Sequence, residues 1–340
     1  MEDPQSPDTP LIWVLKDERP GTGNQALGIA DALVMPYEVK GLEYGPLGRL
    51  PNLLLGASLR CLTLATRAGI VPPWPDVVIS AGRRGASVAR YIKKASGGEC
   101  FVCHLMYPGR GPAAAVDLVA VPAHDQITGA NILTVTGAPH RISDASLEEA
   151  RQVWSSAWNV QKPTMKPPIL GVLVGGGSEA MPFGPPEASE LAGQVTAWQT
   201  STGGSILITT SRRTGDAADS FRNELTAGGI TPDLFHTWQS EGENPYAGIL
   251  ALSDTLIVTG DSVSMLSEAC AAPGNVYFYR SPNFASAKHD RFLESLIAAG
   301  AARPSHEMAL GWTSQRLNSS IEIAAVLKSR LGWDRKADSA

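Results

Sequence analysis

The chain has 340 residues, 18% of them charged, and a formal net charge of -5. That length exceeds the ~250–300 residues at which one hydrophobic core stops growing, so two domains are expected. The acidic balance and low charge density exclude a nucleic-acid binder, which needs a basic surface.

Cys61, Cys100, Cys103 and Cys270 are irregularly spaced, and Cys100 and Cys103 sit in an apolar run with no second Cys or His pair to complete a zinc set. Buried reduced thiols and no metal are predicted, in a reducing compartment. The first ten residues are acidic and Pro-rich, unlike a secretory or mitochondrial leader, and no apolar stretch reaches the ~20 residues that span a bilayer. A cytoplasmic protein is expected, with membrane contact at most peripheral, at the inner face.

Apolar runs of strand length alternate with helix-like segments, the pattern of doubly wound α/β sheets. In the first half, strands are expected at 11–15, 37–39, 77–80, 100–105, 118–121 and 132–135. The first leads through Asp17, Glu18 and a Gly21-Thr22-Gly23-Asn24-Gln25 turn, with Asn24 as cap, into a helix over 26–33. Between Arg49 and Arg110 lie nine Lys or Arg against two acids, a local charge of +7. They frame a largely apolar segment, 50–67, that reads either as a core helix or as a basic, apolar face suited to an anionic membrane surface. Arg83 and Arg84 follow a Ser-Ala-Gly strand end, where paired guanidiniums suit a phosphate or carboxylate.

A Pro-rich segment near 161–168 cannot continue a helix and reads as a linker. The expected division is an N-terminal Rossmann-like domain over 1–162, a linker over 163–168, a C-terminal Rossmann-like domain over 169–313, and a helix and tail over 314–340. Strands in the second half are expected at 169–174, 205–209, 233–237, 255–258 and 275–279. The strand at 169–174 runs into Gly175-Gly176-Gly177-Ser178. The strand at 255–258 runs into Gly260-Asp261-Ser262 and a helix over 264–271, whose first amides and positive dipole end favour a phosphate. Glu268 lies four residues beyond Ser264 on the same helix face, placed to take two sugar hydroxyls beside that phosphate. A phosphate seat next to a hydroxyl-binding carboxylate is what a nucleotide sugar needs, and an ordinary capped strand-turn-helix is the plain alternative. The full Gly-x-Gly-x-x-Gly spacing of a dinucleotide site is missing, as are a Gly-x-Ser-x-Gly elbow and an Asp-x-Asp pair, so neither an oxidoreductase, a serine hydrolase nor a metal-dependent transferase is expected. Trp13, Trp74, Trp154, Trp158, Trp238 and Trp312 are scattered, and core packing is expected of each.

The order of these motifs resembles that of GT-B glycosyltransferases, with two facing Rossmann-like domains, especially the peptidoglycan N-acetylglucosaminyltransferases. Residues 21–30 and 75–84 are similar to that family's first-domain glycine loops, 136–141 to the segment closing its first domain, and 175–180 to the loop opening its second. The resemblance implies a metal-independent transfer of a sugar from a nucleotide-sugar donor, without a cofactor, to a lipid-linked or envelope acceptor. The donor residues it implies are Gly175, Gly176, Gly177, Ser178, Arg212, Asp261, Ser262, Ser264, Glu268 on the ribose, and Lys288 and His289 on the sugar. Gly21, Gly23, Asn24, Gln25, Arg83 and Arg84 fall on the acceptor side. Asn24 stands where that family has a histidine, so the base is sought among Asp17, Glu18 and His104, in that order, with His124 and Asp125 behind them.

A second resemblance covers 13–302. Residues 16–25, Ser80-Ala81-Gly82-Arg83-Arg84, His104-Leu105-Met106-Tyr107-Pro108 and Thr259-Gly260-Asp261-Ser262-Val263-Ser264-Met265 are similar to the mitochondrial fission family named for the plant elongated-mitochondria protein. That family name implies a non-catalytic scaffold recruiting a fission or membrane partner. Polar, phosphate-suited residues retained in several separate loops favour the enzyme.

Overall fold

A computed structural model describes residues 9–161, 165–178, 181–281, 286–308 and 311–334. It divides the chain into two compact units, one formed by 1–141 with 318–340 and the other by 142–317. The boundary differs from the expected one. The helix α6 (Asp144–Gln161) buries Leu147, Ala150 and Trp158 in the second unit's core with Ile249 and Leu250. Lys166, in the expected linker, is tied to that unit through Ser205, whose hydroxyl accepts its amide at 2.9 Å. Residues 163 and 164 of that linker, and the tail from 335, lie outside the described residues.

Unit 1 carries a six-stranded parallel sheet made of β1 (Ile12–Asp17), β2 (Glu38–Leu42), β3 (Val77–Ala81), β4 (Phe101–Leu105), β5 (Leu118–Pro122) and β6 (Ile132–Val135), in the order β2-β1-β3-β4-β5-β6. Its inner strands are buried on both faces, which is why they read as unbroken apolar runs. The helix α1 (Pro20–Leu33) begins directly after β1. The Gly21–Gln25 stretch is therefore the first turns of a helix rather than a loop before one, and Asn24 is no cap. Pro20 at the first turn, where its missing N–H is not needed, is the start signal. The last helix, α12 (Ser319–Leu331), returns to this unit and buries Ile323, Ala324 and Leu327 against Ala26, Leu27 and Ala30 of α1. Burial of Ile323 and Leu327 stabilises the unit by about 1.5–3 kcal/mol each. A Cβ on Gly28 would stand 2.2 Å from the His140 carbonyl oxygen, so only glycine lets α1 seat there.

The segment from Arg49 to Arg67 is not one helix. Pro51 and Gly56 bracket a single turn, α2 (Asn52–Leu55), and Thr63 caps a second, α3 (Leu64–Ala68). Only Leu55 of the Leu53–Leu55 run is buried.

Unit 2 has a second six-stranded parallel sheet, of β7 (Ile169–Val174), β10 (Ser205–Thr210), β11 (Leu234–His236), β12 (Thr255–Thr259), β13 (Asn275–Tyr279) and β14 (Arg303–Pro304), in the order β11-β10-β7-β12-β13-β14. The helices α7 (Pro185–Thr202) and α8 (Ala217–Ala227) bury Leu191, Val195, Phe221 and Leu225 in one cluster with Val172 and Ile208 of this sheet. A two-stranded hairpin, β8 (Gly177–Ser178) with β9 (Met181–Pro182), follows β7. The two-residue β8, β9 and β14 are too short to leave a periodic signal and were not expected.

Candidate functional site

In an open parallel sheet, ligands bind beyond the carboxyl ends of the strands at the place where the strand order reverses. In unit 2 that place lies between β7 and β12, because the chain fills one side of β7 with β10 and β11 and then crosses to the other with β12. The two loops singled out in the sequence, 175–177 and 260–262, meet there.

Their contact is tight. The Gly175 amide donates to Thr259 Oγ1 at 2.7 Å and the Gly177 amide to Asp261 Oδ2 at 2.9 Å. A Cβ on Gly175 would lie 2.7 Å from Asp261 Oδ2, and one on Gly176, held at φ +91°, would lie 2.2 Å from the Thr214 amide nitrogen. These glycines thus accommodate the protein's own neighbouring loops, and two of their amides are already taken. Arg213 closes the group, donating from Nη1 to the Gly177 carbonyl at 2.8 Å and from Nη2 to Asp261 Oδ2 at 3.2 Å. Asp261 Oδ1 is buried with no hydrogen-bond partner.

The helix α10 (Val263–Ala271) starts at this crevice with Ser262 as its cap, the Ser262 hydroxyl accepting the Met265 amide. Ser264 is exposed in the first turn, where helix amides have no intrahelical partner. Glu268 follows on α10 and accepts the hydroxyl of Tyr246, the first residue of α9 (Tyr246–Leu252). Burial raises the Glu268 carboxyl above its ordinary range, partly offset by that hydrogen bond.

Next to the crevice, at the ends of β10 and β11, a cavity of about 320 Å³ is lined by Arg212, Arg222, Thr237 and Trp238 among others. Trp238 is 61% exposed, so it is not the core residue expected of it. Lys288 and His289 lie in the first turn of α11 (Ala287–Ala298) rather than in a loop, with the Ser286 hydroxyl capping the helix and bonding His289 Nδ1 at 2.7 Å. Gly177 and Ser178 form β8; residues 179 and 180 lie outside the described residues.

Unit 1 reverses its strand order between β1 and β3. Here α4 (Gly82–Ala95) begins directly after β3 and carries Arg83 and Arg84 in its first turn. Both guanidiniums are engaged by the protein's own groups, with Arg83 still exposed and Arg84 half-buried. Arg83 donates to the carbonyls of Gly48 and Leu50. Arg84 donates at 2.9 Å to both Asp17 Oδ1 and Glu18 Oε1 and stacks 3.8 Å above the Tyr44 ring. Burial alone would lower the Arg84 pKa, but its two carboxylates outweigh that and hold it charged.

Asp17, Glu18 and Asn24 line one cavity of about 420 Å³ with Lys16, Glu43 and Thr66. Asp17 is buried and Glu18 is exposed; Gly21 is exposed with open space above it, and Gln25 is half-buried. His104 stands apart from them. It is fully enclosed in β4, its Nδ1 bonded to Ser80 Oγ at 2.8 Å, and burial pushes its pKa down to about 3. Being neutral and sealed from solvent, His104 has no surface on which to receive an acceptor proton. His124 is likewise buried, 3.7 Å from Asp125.

Among the described residues no His, Cys, Asp or Glu cluster could hold a metal ion. All four cysteines are buried thiols, and burial pushes Cys103 and Cys270 up to about 12. No described helix is long and apolar enough to cross a membrane.

Arg213, Thr214 and Tyr246 carry no signal in the sequence that marks them for a site, and Trp238 reads there only as a core residue. Arg213 was legible only as the neighbour of Arg212, and Tyr246 lies 22 residues from the carboxylate that it touches.

Two parallel sheets in two units, each with its loops gathered at a strand-order reversal, make this a GT-B-like protein. The UDP-GlcNAc 2-epimerase of Methanocaldococcus jannaschii superposes with a TM-score of 0.54 over 94% of this chain and 99% of that one, at 13% identity. The family model "Mitochondrial fission ELM1" matches residues 20–331, and the chain belongs to that family. An uncharacterized protein of Rickettsia prowazekii is 29% identical over 94% of this chain and 98% of its own length. Mitochondrial fission protein ELM1 of Arabidopsis thaliana is 28% identical over 84% of this chain and 71% of its own.

Proposed function

We propose that the chain is a metal-independent glycosyltransferase that draws a sugar from a nucleoside-diphosphate donor held in unit 2. The observation that carries this reading is the convergence, at one strand-order reversal, of the α10 N-terminus, Arg213, Glu268 and the cavity lined by Trp238 and Arg212. The free first-turn amides of α10 and the Arg213 guanidinium supply what a departing diphosphate needs without a metal. Glu268 Oε1, with Oε2 engaged by Tyr246, serves the ribose hydroxyls, and the exposed Trp238 indole offers a face for the base. The Methanocaldococcus protein of similar fold is a UDP-GlcNAc 2-epimerase, which supports the same ligand class here.

In unit 1 the cavity beside Asp17 and Glu18 is assigned to the acceptor. Glu18, exposed and held through one oxygen by Arg84, is the base; Asp17, buried in the same ion pair, positions Arg84. A lipid-linked acceptor agrees with the exposed Leu53, Leu54 and Leu64 set among Arg49 and Arg60, a surface suited to an anionic membrane.

Calorimetry with uridine and guanosine diphosphates tests the donor site. A ligand at 100 times its Kd should also stabilise the protein by about 2.7 kcal/mol. Glu268→Ala should weaken the binding about tenfold, the loss of one charged hydrogen bond; unchanged affinity would remove Glu268 from the site.

A second reading, a non-catalytic scaffold for a fission or membrane partner, is favoured by the self-satisfied crevices, in which Arg83, Arg84 and Arg213 all bind the protein's own groups. No binding of any nucleotide or nucleotide sugar would decide for it.

A further inference from the structure

Away from both crevices, α2, α4 and α5 (Arg110–Ala113) surround a groove of about 480 Å³ lined by Ala57, Arg90, Lys93, Lys94, Gly97, Gly98 and Ala115. We propose that this groove binds a phosphate group, with Arg90 and Lys94 as its charged partners. Its lining presents three cations and no carboxylate, in a protein of net charge -5.

The three cations are not equivalent. Lys93 is neutralised by Asp117, at 2.6 and 2.8 Å, and also donates to the Cys100 carbonyl. Among the described residues Arg90 and Lys94 have no such carboxylate. Arg90 Nε is buried with no hydrogen-bond partner, and burial lowers the guanidinium's pKa with nothing to offset it. A half-buried cation with no carboxylate partner carries a desolvation penalty that an anion bound beside it would offset.

The shape favours a compact, multiply charged anion. The remaining lining residues are glycine or alanine, and Cβ atoms on Gly97 and Gly98 would meet nothing within 4 Å. No aromatic ring lines the groove to stack a base. A guanidinium and an ammonium side by side match a phosphate dianion, the one through a planar fork and the other as a point charge. The negative end of α4 lies close by, but its last carbonyls are occupied, Ile92 by the Ser96 amide and Lys93 by the Gly98 amide, both at 2.9 Å.

The phosphate can come from a lipid headgroup or from a soluble ester. Gly56, whose carbonyl accepts the Ser87 hydroxyl of α4 at 2.9 Å, joins Ala57 of the groove to the exposed Leu53 and Leu54. A lipid phosphate in the groove would have its acyl region beside those leucines.

The test uses the full chain. Calorimetry with inorganic phosphate and co-sedimentation with phosphatidylcholine vesicles, with and without phosphatidic acid, are run on wild type, Arg90→Gln/Lys94→Gln, Arg90→Lys and Leu54→Glu. Phosphate binding should fall about tenfold or more in the double variant and be largely kept in Arg90→Lys, which retains the charge and guards against a folding defect. Loss of vesicle binding in Leu54→Glu with phosphate binding intact identifies a lipid source; phosphate binding with no sedimentation on phosphatidic acid identifies a soluble ester. Equal phosphate affinity in wild type and the double variant, or no binding of phosphate and of acidic vesicles by wild type, overturns the proposal.

Discussion

The two strand-order reversals hold the same device, an arginine clamped on an aspartate, at different strengths. In unit 1 the Arg84 side chain is 14% exposed and satisfies two carboxylates and an aromatic face; its partner Asp17 is 5% exposed. In unit 2 the Arg213 side chain is 48% exposed and meets one carboxylate oxygen at 3.2 Å, while the other oxygen of Asp261 is left unmatched. The Arg213 end of its pair is half-exposed, where solvent weakens the attraction, but the Asp261 side chain is 4% exposed, as buried as Asp17. Drawing either arginine fully away would strand a buried carboxylate, so an incoming diphosphate meets Arg213 most easily with its ion pair kept. Of the two guanidiniums, that of Arg213 is the more accessible to a ligand.

The sharpest way to break the comparison is to remove the stronger clamp. Arg84→Gln should destabilise unit 1 by about 3 kcal/mol, since it leaves Asp17 buried and unpaired, and thermal melting should show a fall of several degrees. Adding Asp17→Asn should recover much of the loss. If the single variant melts like wild type, the clamp contributes little to unit 1.

In unit 2 the expected effect is smaller and opposite in sense. Asp261→Asn removes a negative charge from the anion seat, worth at least ~1 kcal/mol, the bulk-water limit for unit charges about 4 Å apart. Nucleoside diphosphate affinity should rise about fivefold or more by calorimetry. A fall would show that Asp261 Oδ1 accepts a hydrogen bond from the ligand.

The smallest effect is a pH slope. Burial raises Glu268 above its ordinary 4.5. Between that value and its raised folded pKa the native protein keeps a proton that the unfolded chain releases, so this group's contribution falls as pH rises through the window. Melting of wild type against Glu268→Gln should show the variant gaining on wild type as pH rises through the carboxylate range, then holding a constant difference. A difference independent of pH would mean that Glu268 titrates alike in both states.

The strands were legible because parallel sheets bury both faces of their inner strands, so 77–80 or 169–174 could hardly be anything else. The glycine-rich turn at 175–177 was legible for a related reason: strand ends in such sheets need small residues where neighbouring loops crowd, as Gly175 and Gly176 do against Asp261 and Thr214. The Gly21–Gln25 stretch reads as a turn because glycine marks turns, whereas Pro20 at the first helical position is the signal that starts the helix there. Arg83 and Arg84 looked like a free anion site because a sequence shows a charge but not its tertiary partner; Tyr44 and the Gly48–Leu50 carbonyls are too distant in the chain to be inferred. His104 failed as a base for the same reason, since its enclosure depends on strands on either side.

The return of α12 to the first unit carries a consequence for synthesis. Unit 2 is an insertion of 176 residues, from 142 to 317, between the two parts of unit 1. At ~5–20 residues per second, roughly fifteen to sixty seconds pass between the emergence of α1, which ends at Leu33, and that of α12, which starts at Ser319. During that interval the α1 face that Ile323 and Leu327 will cover has no native cover, while the inserted unit has every residue of its own core at hand. The later-synthesised unit can thus be the first to finish folding.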